Sequence, residues 1–299
     1  MSVHQKFREV FNFSQLPKDW QIVSTATDWL GNPLLMVAEG KPPFPKDNPS
    51  AQRDWYSIPP KAHHLIHLVG SSQRTVTFEK SSGLVPFGIQ PLGDGWLFYD
   101  ARADLAHFYD STGQPQKTLH LGGGISDFQT TPNGHIWVSY IDEGVFGDGI
   151  GSNGVVAFDA AGEPIFKYHE LAEQHDLPHV DDCYAMNVSG EDEVWLCYYS
   201  DFPLVSLKGF QLDRAWKDFG CMDRAFAVLR DTVIFPKCYT RREGKSQLLR
   251  RTLSDPPQTE HVEATDESGA SIGGVFGAAA RGAHFYLFTD TALFKLAAL

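Results

Sequence analysis

The chain has 299 residues, is 42% hydrophobic and 13% aromatic, and carries a formal net charge of −12. That is core material for a globular fold of one or two domains, and the acidic balance without a lysine or arginine cluster excludes a phosphate-tracking nucleic-acid surface. The opening MSVHQKFREVFNFS lacks the apolar run of a signal peptide, and no stretch reaches the ~20 apolar residues of a membrane span, so the expectation is a cytoplasmic protein without membrane attachment.

In chain order, one pattern returns: an apolar strand, a Gly/Asn/Asp turn, then an aromatic-rich strand. It is read at Ile22–Thr27 with Leu34–Ala38, at Phe87–Pro91 with Trp96–Tyr99, and at Phe128–Thr131 with Ile136–Tyr140. It returns at Tyr184–Val188 with Val194–Tyr199, at Phe226–Leu229 with Val233–Phe235, and at Val275–Ala280 with His284–Phe288. Outer pairs follow most copies: His64–Val69 with Thr75–Phe78, Ala106–Tyr109 with Thr118–Leu121, Val155–Phe158 with Pro164–Tyr168, Phe210–Leu212 with Ala215–Phe219, and Leu248–Leu253 with Thr259–Val262. A lone four-stranded sheet exposes two edges and two apolar faces, and copies packed radially bury those faces. The sequence therefore predicts an all-β, six-bladed β-propeller, one domain over residues 1–299. Its last copy is one strand short at Leu299, and Lys6–Phe13 is predicted to supply that strand and close the ring.

TTPNGHIWVSY, at Thr130–Tyr140, resembles the D-x-x-G-x-I-W-V turn-and-strand signature of the NHL, streptogramin-lyase-like and sensor-type regulator propellers. VVAFDAAGEPIFKY resembles the outer hairpin of their blades. The resemblance implies the fold, over one blade most clearly, and leaves binding, hydrolysis and lyase chemistry open.

Strand parity assigns the three long insertions, Gly40–Lys61, Asp142–Asn153 and His169–His179, to one face. Trp55, Tyr56, Phe146 and Phe202 are its candidate aromatic anchors, with Asp142, Glu143 and Asp201 beside them, for a protein, peptide or small-molecule partner. Gly147–Gly151 has neither a following helix nor a P-loop lysine and reads as a flexible loop. Asp127, Asp182 and Asp223 stand at blade entrances, where converging carboxylates suit a hard cation such as Ca²⁺ or Mg²⁺. Lactonase-type propellers hold a metal there with Glu, Asn, Asn and Asp, and this chain lacks matching asparagines. Aspartate's ordinary role in turns is the competing account.

His179, just before Val180-Asp181-Asp182, pairs on paper with Asp182 as a general base, and Arg241 with Arg242 forms the basic exception that could clamp a substrate carboxylate. His63, His64 and His67 fall on a predicted strand, where i, i+4 spacing is not a ligand pair. No serine sits in a G-x-S-x-G elbow. Cys183, Cys197, Cys221 and Cys238 have no C-x-x-C spacing and read as reduced, mostly buried thiols. A binding propeller is the favoured reading, and a metal-dependent hydrolase, lactonase or lyase is the alternative.

Overall fold

Turns of one chemical type set the rhythm of the chain. In Asp28–Gly31, Asp110–Gly113, Asp159–Gly162 and Asp266–Gly269 the aspartate accepts backbone N–H groups further along its own turn. Asp159 Oδ1, for example, takes the amides of Ala161 at 2.8 Å and Glu163 at 2.9 Å. Each glycine has a positive φ, between +74° and +90°, which a side chain would oppose. These bonds hold the four carboxyls below the usual carboxylate range, although Asp28 is also pushed upward by burial.

The computed structural model describes residues 3–42, 44–45, 49–220, 222, 225–237 and 247–297, and the side chains of Pro49, Ser50, Arg53 and Tyr56 lie outside that set. After β1 (Val3–Asn12), β2 (Trp20–Thr27), β3 (Pro33–Glu39), β4 (His63–Val69) and β5 (Ser72–Phe78) form an antiparallel sheet in sequence order. So do β6 (Pro86–Leu92), β7 (Gly95–Asp100), β8 (Leu105–Tyr109) and β9 (Pro115–Leu119). The third sheet is β10 (Ile125–Thr130), β11 (Ile136–Tyr140), β12 (Val155–Phe158) and β13 (Pro164–Lys167). The fourth is β14 (Asp182–Val188), β15 (Glu193–Tyr199), β16 (Leu204–Lys208) and β17 (Gln211–Trp216).

The remaining strands share one eight-stranded sheet. They are β18 (Ala227–Leu229), β19 (Thr232–Pro236), β20 (Gln247–Thr252), β21 (Thr259–Thr265), β22 (Val275–Arg281), β23 (His284–Thr289) and β24 (Ala292–Leu296), with β1 between β21 and β24. β1 pairs with β24 antiparallel over Phe7–Asn12, the place the sequence left one strand short. Its first residues, Val3–Lys6, also pair in parallel with β21, which alternation along the chain did not announce. Phe7 and Phe11 of β1 are buried, so the strand is held by packing as well as by its ladder.

The fourth sheet corrects the sequence reading. Its outer pair was expected at Phe210–Leu212 and Ala215–Phe219. Instead Gly209 and Phe210, with φ of +54° and +61°, make the hairpin turn, and the buried run Leu204–Lys208 is the third strand. Leu204–Lys208 follows Pro203 and is not among the strands read from the sequence.

Sheets pack face to face through their apolar side chains, and the first strands lie innermost, β2 beside β6, β6 beside β10, β10 beside β14, and β22 beside β2. Gly88 on β6 permits one such approach: a Cβ there would meet Phe128 Cε1 of β10 at 2.9 Å. Among the described residues three helices interrupt the strands, α1 (Pro49–Ser57), α2 (Asp142–Val145) and α3 (Tyr168–Gln174). α3 buries Tyr168, Leu171 and Ala172, the spacing of one helical face. The glycine-rich segment is packed rather than free. A Cβ on Gly151 would meet Gly144 O at 2.8 Å, so the backbones touch there, and Ile150–Asn153 forms a 3₁₀ turn.

Candidate functional site

An innermost strand has neighbours on both faces but an unpaired backbone edge toward the axis. At the ends where the first strands finish, side chains satisfy that edge. Gln90 on β6 donates to Thr27 O on β2 at 3.1 Å and accepts from the Thr130 amide on β10 at 3.4 Å. Gln129 on β10 donates to Met186 O at 3.1 Å and accepts from the Val188 amide at 2.9 Å, both on β14. Asn187 on β14 donates to Phe226 O at 2.6 Å and Gly282 O at 3.0 Å, and accepts from the Gly282 amide at 2.7 Å. Arg281, 1% exposed, reaches across from β22 to Gln129 Oε1 at 3.3 Å and to Thr130 O. Burial pulls this guanidinium down to about 10, against the pull of Asp127, Asp28 and Glu191. These four buried side chains tie the first strands to one another at their lower ends.

The upper ends differ. In five first-to-second strand pairs the register slips by one residue at the same place, leaving Val23, Phe87, Ser126, Tyr184 and Phe276 as the extra residues. Each lies three positions before the level of Ala26, Gln90, Gln129, Asn187 and Ala279. A bulge re-aims a side chain, and on a strand covered on both faces the open direction is the axis. Phe87 and Phe276 are accordingly 46% and 41% exposed, although they belong to innermost strands. Tyr184 stacks on Phe202 with ring centroids 5.8 Å apart, and Tyr199 meets Phe202 edge-on at 5.4 Å. Asp201 and Phe202 both have positive φ, +62° and +47°, a strained turn that holds the phenyl ring in place.

All three insertions approach these upper ends. α1 and its flanks lie against Val23 and Pro86, near the starts of β2 and β6. α2 lies against β14, bringing Asp142 and Glu143 close enough to Asp182 to act on its charge. α3 lies beside the same rim, where His169 Nε2 accepts the Val180 amide at 3.0 Å.

Two mouth carboxyls are displaced from their ordinary range. Asp127 is pushed up to about 6 by burial, against hydrogen bonds from Gln129 and the Phe128 amide and the charge of Arg281. It has some accessible surface but is ringed by protein, as expected of a group at the bottom of a depression. Asp182 is also pushed up to about 6, by burial and then by the charges of Asp142 and Glu143, and its buried Oδ1 has no hydrogen-bond partner.

The other sequence candidates divide. Phe146 is 72% exposed, and Asp142, Glu143 and Asp201 are exposed on the same rim. Trp55 is buried at 4%: its Nε1 donates to Pro42 O at 2.7 Å and Lys41 sits on its ring, so it anchors its own loop rather than a partner. A proline-rich loop looks like surface in a sequence, which is why Trp55 was misplaced. Tyr56 lies on α1 with its side chain outside the described set. His179 pairs with Glu173 at 3.5 Å and stacks on His169 at 4.2 Å, instead of bonding Asp182. Arg241, Arg242 and Asp223 lie outside the described residues, as do Cys221 and Cys238, while Cys183 and Cys197 are buried, with Cys197 Sγ 3.4 Å from Gly220 O. Among the described residues no group of three or more His, Cys, Asp or Glu side chains is placed to hold a metal ion, and no helix is long and apolar enough to cross a membrane.

Sheets of this kind, packed with their first strands around a common axis, make a streptogramin-lyase-like β-propeller fold. Comparison with known proteins agrees. Streptogramin B lyase superposes with a TM-score of 0.53 at 10% identity, over 99% of this chain and 97% of that one. Virginiamycin B lyase from Staphylococcus aureus, a catalytically inactive variant with quinupristin, gives 0.52 at 12% identity, over 98% and 99% of the two chains. The PQQ-bound aldose sugar dehydrogenase from Streptomyces coelicolor gives 0.50 at 10% identity, over 99% and 96%. Such identities establish fold alone. The YxzG family matches residues 155–296, just under half of the chain. No curated protein matches the sequence.

Proposed function

We propose that this chain is a six-bladed binding propeller that takes a cationic peptide or small molecule at the upper mouth of its axis. The observation that carries this reading is the repeated bulge, which turns Phe87, Tyr184 and Phe276 out of the ladder at one level. Aromatic faces attract cations, and the crowded carboxylates Asp142, Glu143 and Asp182 are relieved by a positive charge placed among them. The test is calorimetric titration of wild type and Phe276→Ser with short N-acetylated peptides bearing Lys or Arg, Glu, or neutral side chains. Binding restricted to the basic peptides, weakened by salt and lost in the variant, is expected. Equal response to acidic peptides sinks it.

The count of six rests on reading the eight-stranded sheet as two blades joined at β1, namely β18–β21 and β22–β24 with the antiparallel half of β1. Removing residues 1–12 would then open the ring, and the expected result is loss of cooperative unfolding or aggregation. An unchanged melting temperature refutes it.

A second reading, chemistry at the mouth, is favoured by Asp127, whose carboxyl sits near neutrality in an enclosed place. In its metal-dependent form, Asp127 and Asp182 would need a further oxygen donor, such as Asp223, to hold Ca²⁺ or Mg²⁺. A melting temperature raised by micromolar Ca²⁺ or Mg²⁺ and lowered by chelator supports that form, and no response removes it.

A further inference from the structure

Beside the mouth, under the Gly40–Lys61 insertion, lies a cavity of about 50 Å³, walled by Trp55, Ile58 and Pro60 on one side and by Val23, Leu84 and Pro86 on the other. That volume holds a few waters or one small anion. Lys41, Arg102 and the neutral imidazole of His63 also line it, so two cationic side chains meet at this corner of an acidic protein. Lys41 is 7% exposed. Its Nζ donates to Trp55 O at 2.9 Å and lies 3.6 Å from the centroid of that ring, and no carboxylate among the described residues pairs with it. An ammonium has three donors, so two remain. His63, 1% exposed, uses Nδ1 on Ser81 O at 3.0 Å; a carbonyl only accepts, so Nδ1 carries the proton and Nε2 has no partner among the described residues. The nearby acid, Asp100, is occupied by the backbone amides of Val85 at 3.0 Å and Arg102 at 3.1 Å.

A buried ammonium without a counter-charge is costly, and the usual remedy is a bound anion. We propose that this cavity is a carboxylate-binding subsite, with Lys41 Nζ as the charged donor and the apolar walls around it as the remaining contact. One buried ammonium between proline and leucine walls, with Arg102 at the exposed side, suits a monoanion. The subsite goes beyond the mouth reading and stands without it.

Burial and the charge of Arg102 pull Lys41 down to about 8, and burial pulls His63 down to about 4, with Lys41 and His64 adding to the effect and Asp100 opposing it. A carboxylate binds the protonated ammonium, so affinity falls as pH rises through 8.

The test uses the full chain, with sodium acetate against sodium chloride at equal ionic strength, followed by thermal shift and calorimetry at pH 7 and pH 9, and inorganic phosphate as a separate arm. Acetate is expected to raise the melting temperature beyond chloride at pH 7, with a weaker effect at pH 9 and little response to phosphate. Lys41→Met should weaken acetate by about tenfold or more, as loss of a charged hydrogen bond does, while Lys41→Arg keeps part of the response. Phe276→Ser, at the mouth, should leave the acetate response intact, which separates failure here from failure of the mouth reading. No difference between acetate and chloride in wild type, an undiminished response in Lys41→Met, or a preference for phosphate each overturns the proposal. If Lys41→Met does not fold, the wild-type comparison between pH 7 and pH 9 decides, and an acetate response equal at both values overturns it.

Discussion

The two ends of the same inner strands obey opposite rules. At the lower end Gln90, Gln129, Asn187 and Arg281 are each at most 6% exposed, and they satisfy the free strand edges across the axis. Three residues earlier, Phe87 and Phe276 stand exposed, and Asp182 keeps an unpartnered buried oxygen among like charges. The same strands run through both ends, but the ladder slips by one residue at the upper end and not at the lower, so a local irregularity makes the difference. The lower end, where side chains answer most of the free backbone groups and Arg281 Nε is left over, has the character of a structural region, whereas aromatic rings and an unanswered carboxylate oxygen collect at the upper end.

The sharpest way to break this contrast is at Arg281. Arg281→Ala opens a void on the axis and orphans Thr130 O, with an expected loss of about 3–5 kcal/mol in urea unfolding. A loss below 1 kcal/mol would mean that the lower end is not the structural one. Gln129→Leu comes next. It preserves volume but strips Met186 O and the Val188 amide of their partner, for about 2–3 kcal/mol.

How far the sequence showed this division can be judged from particular residues. The turns were plain, because Asp and Gly in D-x-x-G have no better use than the bonds they make. The strand pairs around Ile136–Tyr140 were plain as well, from β-branched and aromatic residues alone. The bulges were not. A one-residue slip changes which side chain faces the axis without changing composition, so Phe87 and Phe276 looked like ordinary core. The shared spacing of Phe87 to Gln90, Ser126 to Gln129 and Tyr184 to Asn187 was the available signal, since a buried amide at one repeated position has a backbone to satisfy. Arg281 gives no signal in the sequence, because nothing local tells an exposed arginine from one reaching across an axis. Asp142 and Glu143 do lie close enough to Asp182 to act on its charge, while His179 pairs with Glu173 rather than with Asp182.

A smaller effect, opposite in sign, is expected at the mouth. The Asp182 carboxyl holds its proton more tightly in the folded chain, near 6 against 3.8 when free, so the folded state binds more protons between these values. Its cost is absent below 3.8, grows through this window and is complete above 6. Asp182→Asn should therefore stabilise the chain by roughly 1 kcal/mol at pH 7, after allowance for solvent screening, with the effect vanishing as pH falls below 3.8. The difference from wild type is the quantity to measure, because His63 and His169, both lowered to about 4, change total stability in the opposite direction over the same window.

The smallest effect is the most informative. Phe87→Ser and Phe276→Ser remove rings that are nearly half exposed, so unfolding free energy should move by only about 0.5 kcal/mol. A core phenylalanine on an inner strand, such as Phe128 at 2% exposure, would lose about 3–5 kcal/mol on truncation. Comparing Phe276→Ser with Phe128→Ala by urea denaturation thus asks whether the bulge has removed a ring from the core. If the two variants lose similar stability, Phe276 is a packing residue and the mouth has no aromatic wall. If Phe276→Ser is stable yet no longer binds basic peptides, the slip in register has turned part of a structural strand into a recognition surface.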